Sequence, residues 1–316
     1  MAAHEEALKR ATTDKVSPAV VGAKPARKGR VSPHDLLVRV VFVVFLIALW
    51  QGAYHYFVTV KDIWSKGIFP SPSQVVEWLW VGFGFTWFTH SYQPPLLTAP
   101  PRNYWEVLQQ VPYPRAIGVS LWRLVEGYLI AIVIGFPLGL WVARSSLADK
   151  TIGWLSNSLQ GLPSICWVPL AMLWFGRISD AAPIMFVTVM GALFATVIAV
   201  ADGLRNVPPW FSRAGRTLGA TGARLYWGVL LPSAMPAIVT GLKIGWSFAW
   251  RSLMAAELIV NAGGLGQLLY IDREHGDADG VLATIFVIIV MGLAVQSLVF
   301  EPAERRLRAL WGLNGA

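Results

Sequence analysis

Six long apolar windows constrain this chain more than any other feature of its sequence. A helix needs about 20 apolar residues to cross the hydrocarbon core of a bilayer. Backbone groups find no water inside lipid, so such segments must be helices rather than open strands. We therefore predict an all-α membrane protein with about six transmembrane helices, at Leu36–Val60, Leu121–Ala143, Thr151–Gly176, Ala182–Ala201, Leu231–Val260 and Val281–Phe300.

Proline residues interrupt two of these windows. Pro163 and Pro169 break the third, and Pro236 lies in the fifth. A proline inside a membrane helix removes a backbone hydrogen bond, and the freed groups need neighbouring protein. We therefore expect both helices to be surrounded by other helices.

The overall composition excludes an ordinary soluble domain. Hydrophobic residues make up 55% of the chain and charged residues 14%, whereas soluble domains carry roughly 25% charged residues. The single cysteine, Cys166, cannot form an internal disulfide, and its apolar surroundings predict a buried, inert thiol. The five histidines share no ligand spacing, so no metal site is predicted.

The distribution of Lys and Arg predicts the orientation in the membrane. With the N-terminus in the cytoplasm, the inside segments hold 17 of these residues and the outside segments hold 6. Positive charge favours the cytoplasmic side, so a multi-pass protein with a cytoplasmic N-terminus is predicted. The net charge of +8 then reflects membrane topology, and no nucleic acid partner is expected.

We divide the chain into five regions on these grounds. Residues 1–34 are a basic cytoplasmic tail, expected to be disordered and attracted to anionic lipid, and 35–60 form the first transmembrane helix. Residues 61–117 are external or interfacial, 118–302 the transmembrane core and 303–316 a cytoplasmic tail. Within the third region, 61–117, the apolar segment Val75–Thr89 is 15 residues long. That length favours a helix at the outer interface, and a seventh crossing is the alternative.

The stretch Asp202–Gly228 between the fourth and fifth windows has an unusual pattern. Pro208 and Pro209 favour a helix start, and a short helix is predicted over Phe211–Leu218. Gly219 and Gly222 allow sharp turns after it. A rigid helix at this place could transmit the movement of a partner to the next span. An amphipathic helix resting on lipid, with Arg213 and Arg216 on one face, and an ordinary connection are the alternatives.

The same stretch resembles the cytoplasmic loop of binding-protein-dependent importers of the ATP-binding-cassette (ABC) type, E-A-A-x3-G-x9-I-x-L-P. Ala214, Gly219, Leu231 and Pro232 match it, Gly215 and Val229 are conservative, and Arg213 replaces the usual carboxylate. An ion pair made through that carboxylate is therefore not carried over to this chain. The resemblance implies an ATPase-coupling loop with Arg213, Ala214, Gly215, Arg216, Thr217, Gly219, Ala220, Leu231 and Pro232.

Further segments are similar to the nitrate, sulfonate, taurine and bicarbonate branch of these permeases. They include FPSPSQV at 69–75, WVPLAMLWFG at 167–176 and GLKIGWSFAWRSLMAAELI at 241–259. The resemblance implies a type I ABC importer permease (MetI-like) fold with a cytoplasmic coupling helix, in a bacterial inner membrane. It also implies a homodimer, two cytoplasmic ABC ATPase subunits, and an external solute-binding protein that delivers a small anion.

The chain carries no phosphate-binding loop of its own. It contains no Gly-Lys dipeptide, which the G-x-x-x-x-G-K-[ST] pattern requires. We therefore expect no catalytic residues and no bound cofactor in this chain, with ATP and Mg used by the partner subunit. A self-contained secondary transporter or channel is the alternative function.

Charged residues inside the windows are the candidates for the translocation path. Ionisable groups within membranes are costly and tend to face a cavity or a partner. On the fifth window a stripe with helical spacing is predicted to follow the path, with Arg251 beside it: Lys243, Ser247, Trp250, Met254 and Glu257. Arg123 and Glu126, three residues apart, are predicted to pair. These charges could instead be purely structural.

Overall fold

The computed structural model describes residues 33–65, 67–84 and 112–310, and these ranges are helical without any strand. Most of the basic tail, the segment 85–111 and the last residues 311–316 lie outside the described residues, so the disorder expected for 1–34 stays a prediction. The helices are α1 (Pro33–Tyr54, continued to Val60), α2 (Pro72–Gly82), α3 (Pro112–Arg144), α4 (Ser146–Gln160), α5 (Ser164–Phe175), α6 (Ala181–Arg205), α7 (Pro209–Thr217), α8 (Gly222–Ile259), α9 (Leu265–His275), α10 (Ala278–Val295, continued to Phe300) and α11 (Glu301–Leu310).

The described residues contain five helices long and apolar enough to cross a membrane, or six spans if a bent pair of helices counts as one. The long helices are α1, α3, α6, α8 and α10, and the pair is α4 with α5. The prediction of about six spans is confirmed. We call the face that carries Arg205 and α7 the proximal face, and the face that carries Gly263 the distal face.

The break between α4 and α5 follows from the local sequence. Gly161 ends α4, and Pro163 adopts an extended ψ of 128° before a 3-10 turn at Ser164–Trp167. Proline cannot donate a backbone hydrogen bond and disfavours a helical residue before it. The two helices therefore meet at 106°, where the sequence had indicated a single interrupted window.

The helix α2 lies at the distal face. Ser71 accepts a hydrogen bond from the Gln74 amide, and the Gln74 side chain accepts one from the Ser71 amide, so a capping box fixes the start. The helix is 11 residues long, which is too short to span. Trp78 packs against Gly280 at the start of α10. The interfacial helix predicted in this segment is thus present up to Gly82, and residues 85–89 lie outside the described residues.

Three helices, α3, α6 and α8, form the centre of the bundle through small residues. A Cβ on Gly139 would lie 2.6 Å from Val200, and a Cβ on Gly191 would lie 1.9 Å from the Ser252 hydroxyl. Inside lipid the hydrophobic effect does not bring helices together. Membrane helices therefore associate largely through such close packing of their backbones. The central helices are therefore held at short distance, with the bent pair packed against them.

Candidate functional site

A cavity lies where the break between α4 and α5 meets α6 and α8. Its volume is about 280 Å³, and it is lined by Gln160–Ile165 at the break, Gly191 on α6 and Arg251 on α8. Arg251 is eight residues before the distal end of α8, or about 12 Å along the helix axis. Gly191 is ten residues after the distal start of α6, or about 15 Å. The cavity is therefore near the middle of the membrane, since the hydrocarbon is about 30 Å thick.

Arg251 is exposed on the open side of this cavity. Its Nε donates to the Ser247 carbonyl at 3.3 Å, and the guanidinium carbon lies 4.6 Å from the centre of the Phe248 ring. Among the described residues no carboxylate pairs with Arg251, and its two terminal nitrogens make no hydrogen bond. A charged group at this depth is costly unless it faces water, a partner or a ligand. Arg251 is thus a free cation oriented by its own helix.

The other described residues of the cavity wall are uncharged, and they combine aromatic rings with polar groups. Aromatic rings come from Trp167, Phe194 and Phe248, and side chains able to hydrogen-bond come from Gln160 and Ser164. Among the residues that the structure describes, no Asp, Glu, Lys or His lines the cavity. Arg251 carries the one charge that these residues present to a solute there.

The structure divides the predicted stripe on α8. Trp250 packs against Gly292 of α10, Met254 lies between two hydrophobic clusters, and Glu257 is fully buried. None of these three side chains lines the cavity, and neither Lys243 nor Ser247 does. Helical periodicity placed the stripe on one face of α8, but that face packs largely against α9 and α10. Arg251, one position away from Trp250, points to the other side.

The predicted pair between Arg123 and Glu126 is wrong. Arg123 Nη1 lies 3.2 Å from Glu257 Oε1, whereas Glu126 is exposed. The other Glu257 oxygen accepts from the Ser120 hydroxyl at 2.7 Å and from the Gly266 amide at 3.1 Å. Burial favours the more distant partner, because the buried carboxylate of Glu257 needs a counter-charge and the exposed Glu126 does not.

Arg123 also holds the turn after α8. It donates to the Gly263 carbonyl at 2.7 Å and to the Ala262 carbonyl. Gly264 has φ +108°, and a Cβ there would come within 2.4 Å of the Glu257 carboxylate. The Gly-rich run 263–266 is therefore a tight turn beside a buried ion pair. Ser120 and Gly266 complete this cluster and were missed, because a serine and a glycine give no charge signal.

The predicted coupling stretch contains the helix α7. It starts with Pro209 in the first turn and ends before Leu218, within two residues of the predicted bounds. Gly219 has φ +82°, and the Ala220 amide bonds the Gly215 carbonyl at 2.9 Å, which closes the helix end. A Cβ on Gly215 would lie 2.6 Å from Leu225, so α7 packs closely against the start of α8.

The outer face of this stretch is open to solvent. Arg213, Arg216 and Thr217 are exposed, and Leu218 is 87% exposed. Ala214 and Gly219 are also exposed, whereas Leu231 and Pro232 are half-buried at the start of the long part of α8. The predicted geometry of a short helix connected rigidly to a membrane span is therefore present.

Two other features carry no site. Cys166 is exposed rather than buried, because it lies in the 3-10 turn after the break and not inside a regular helix. A second cavity of about 380 Å³ lies along α10 and the start of α11, from Val290 to Glu301, and the described residues that line it include the Glu301 carboxylate and no cation. Within the described ranges no group of three His, Cys, Asp or Glu side chains could hold a metal ion.

The family model described as the binding-protein-dependent transport system inner membrane component matches residues 135–302, which contain the bent pair, α7 and Arg251. The chain belongs to this family. It is therefore a permease subunit of the ABC importer type, a transport component that is not itself an ATPase.

Related proteins agree with this assignment. The chain is 31% identical over 223 residues to the taurine transport system permease protein of Escherichia coli K12, covering 67% of this chain and 80% of that protein. It is 30% identical over 189 residues to a nitrate import permease protein of Leptolyngbya laminosa, covering 60% and 67%. A third relative, described as an ABC transporter permease of Methanocaldococcus jannaschii, is 31% identical over 179 residues, covering 56% and 66%.

A solved structure gives the same fold. A chain of the methionine ABC transporter in an inward facing conformation aligns with a TM-score of 0.54 and 22% identity, over 61% of this chain and 94% of that chain. The MetI-like importer permease fold predicted for this protein is confirmed.

Proposed function

We propose that this permease forms the translocation path for a small anionic solute, and that Arg251 contacts the anion. The observation that carries the proposal is the unpaired Arg251 guanidinium in a cavity near mid-membrane. Its planar fork suits two-point contact with nitrate, carboxylate or sulfonate oxygens. Relatives named for taurine, nitrate and bicarbonate transport support a solute with an anionic group.

The energy for transport comes, in this proposal, from two separate ATPase subunits docked at α7 on the proximal face. The exposed face around Arg213 and Thr217 and the rigid contact between Gly215 and α8 support this. A displacement of α7 would reach α8 directly, and α8 carries Arg251. Nucleotide-driven approach of two such helices would alternate access to the cavity.

We further propose that two copies of the chain assemble and that an external binding protein delivers the solute at the distal face. The open side of the cavity, with a charge at membrane depth, supports a second copy as its cover. The 17-to-6 distribution of Lys and Arg supports a cytoplasmic proximal face and a cytoplasmic N-terminus.

The contact with the ATPase can be tested by cross-linking. Thr217→Cys in a Cys166→Ala background places one thiol on the exposed side of α7. A short thiol–amine cross-linker should join it to the cognate ATPase in membranes. Ser179→Cys, exposed at the distal face, is the matched control and should give no such product. Equal cross-linking from both positions, or none from Thr217→Cys, would contradict the docking site.

The role of Arg251 can be tested by substitution. Arg251→Met keeps an unbranched apolar stem and removes the charge and the guanidinium, so uptake should be lost while assembly and ATP hydrolysis persist. Arg177→Met, at an exposed arginine outside the cavity, should transport normally. Normal uptake by Arg251→Met would remove Arg251 from the path.

A further inference from the structure

The turn between α3 and α4 is attached to both flanks of α7, and we call residues 140–149 the proximal corner. We propose that this corner is a second route of coupling, in which the positioning residues Arg205 and Asp149 make α4 move together with α7. The proposal rests on the proposed function, because it takes α7 as the place where force is applied. It goes beyond that function, since the direct contact between α7 and α8 involves neither residue.

Arg205 attaches the start of α7 to the proximal corner. It is the last residue of α6, four positions before the first residue of α7. Its Nη2 lies 2.7 Å from the Asp149 carboxylate in the first turn of α4 and donates to the Val142 carbonyl at 2.8 Å. Val142 is in the last turn of α3, where carbonyls lack partners within their own helix. A cation at a helix C-terminus and an anion at a helix N-terminus are both favourable, so one guanidinium joins the ends of three helices.

The other flank of α7 is attached to the same corner. The guanidinium carbon of Arg144 lies 5.6 Å from the centre of the Tyr226 ring, within the range of a cation–π contact. The Tyr226 hydroxyl donates to the Leu140 carbonyl at 3.5 Å. Tyr226 follows the last residue of α7 by nine positions, in the first turns of α8. A displacement of α7 would therefore act on the proximal corner from both sides.

The proximal corner is packed firmly enough to pass on a displacement. Val142 and Ala148 are buried in one cluster with Val197 and Ala201 of α6. The Ser145 hydroxyl accepts from the Ala148 amide at 3.3 Å and caps the start of α4. Closely packed interiors transmit strain rather than absorb it. The ends of α3, α4 and α6 should therefore move as one body.

The helix α4 extends from this body to the cavity. It is 15 residues long, or about 22 Å, and its last residue, Gln160, lines the cavity. Movement at Asp149 would therefore reach the break, which forms one wall of the cavity. Movement through α8 reaches Arg251 on another wall. With both routes, two walls of the cavity shift when α7 is displaced.

The exposure of the ion pair separates this role from a purely structural one. The side chains of Arg205 and Asp149 are 37% and 45% exposed. Ion pairs with this exposure contribute little to folding stability. Loss of the pair should therefore weaken the movement of the break more than it weakens the folded protein.

The test follows movement in a complex of the full permease with a cysteine-free variant of its ATPase in lipid nanodiscs. A nitroxide spin label on Cys166, the single cysteine of the chain, reports on the break, because this exposed residue lies just after it. Ile244→Cys in a Cys166→Ala background reports on α8, and Thr217→Cys in the same background reports on α7. ATP with vanadate should change the spectrum of all three labels.

Variants of the ion pair should act on the break alone. Arg205→Gln and Asp149→Asn should each shrink the ATP-induced change at Cys166 by about twofold to fivefold, the range for loss of an exposed ion pair. The label at Ile244→Cys should keep its change. The two substitutions together should lose no more than the stronger one alone, because both remove the same contact. Arg205→Lys retains the charge and should keep more of the change than Arg205→Gln. Arg305→Gln, which removes an exposed ion pair within α11, is the matched control and should leave all three labels unchanged.

Three results would overturn the inference. They are an unchanged response at Cys166 in both variants, an equal loss at Cys166 and Ile244→Cys, or the same loss in Arg305→Gln. If Arg205→Gln fails to assemble, Asp149→Asn and the unaltered complex still carry the test. A response at Thr217→Cys without any response at Cys166 would defeat only the inference. No response at Thr217→Cys would defeat the docking of the ATPase at α7, and with it the proposed function.

Discussion

The Glu257 side chain on α8 is fully buried and connects that helix to α3 and α9. It contacts Arg123 and Ser120 on α3 and the Gly266 amide at the start of α9. A buried ion pair is expensive to form, but removing one partner is more expensive because it leaves a charge uncompensated. The cluster therefore stabilises the distal end of the bundle only as a complete set.

This gives a prediction for the two partners. Arg123→Met should lower the free energy of unfolding by about 3–5 kcal/mol, because Glu257 stays buried without its counter-charge. The double variant Arg123→Met/Glu257→Leu should recover part of that loss. Denaturant-induced unfolding in mixed micelles, with Arg177→Met as control, measures both. If the double variant were less stable than Arg123→Met, the loss in the single variant would not come from an uncompensated charge on Glu257.

Asp272 on α9 gives a pH-dependent prediction outside the membrane spans. Burial raises the pKa of its carboxyl above the usual value, and the negative charges of Asp277 and Asp279 add to the shift. The Thr284 hydroxyl, which donates to Asp272 at 3.0 Å, and His275 act in the opposite direction. The folded protein thus binds the proton more tightly than the unfolded chain does.

The sign of the effect follows from linkage. Stability from the protonated carboxyl is fully present below the unfolded pKa, which is about 3.9, and is lost as pH rises through the higher folded pKa. Thermal unfolding midpoints should therefore fall across this interval, and Asp272→Asn should flatten that slope. Asp180→Asn, at an exposed carboxylate, is the control and should keep the slope of the unaltered protein. If Asp272→Asn also kept that slope, the pH dependence would come from other groups.

At the scale of single elements, α7 is the part that proline and glycine specify most directly. Pro208 and Pro209 fix its start, and Gly219 closes its end with a positive φ. These signals are local, so the sequence predicted the helix to within two residues. The break between α4 and α5 was likewise indicated by Pro163, although the angle of 106° depends on packing that no local rule supplies.

Gly219 therefore offers a test of mechanical coupling. An alanine at φ +82° costs about 1–2 kcal/mol, so Gly219→Ala should loosen the end of α7. Uptake per ATP hydrolysed should fall several-fold while the unfolding midpoint of the bundle changes little. Gly228→Ala is the matched control, because that glycine has open space around it and an ordinary φ. Equal coupling in the two variants would contradict a rigid α7.

At the scale of the whole molecule, the six crossings follow from segment length and hydropathy, which the sequence contains in full. Segment length and hydropathy do not predict which helices pack against one another. Arg123 has an acidic residue three positions away and a better partner 134 positions away, and only the packing of α3 against α8 and α9 selects between them. The same packing turned most of the predicted stripe toward α9 and α10 and left Arg251 at the cavity.

The fold as a whole connects the proximal and distal faces through one helix. α8 starts beside α7, passes Arg251 near mid-membrane, and ends at the cluster around Glu257. A force applied at α7 would therefore reach both the cavity and the distal turn. This continuous path through α8 is the physical basis of the proposed coupling between α7 and the cavity.

The most direct measurement is solute uptake into proteoliposomes that contain the purified permease, with and without its ATPase. Anion uptake should require the ATPase, ATP on the proximal side and the external binding protein, and should stop when any of them is omitted. Uptake at the same rate by the permease alone, down a gradient and without ATP, would contradict the account and identify a self-contained carrier or channel.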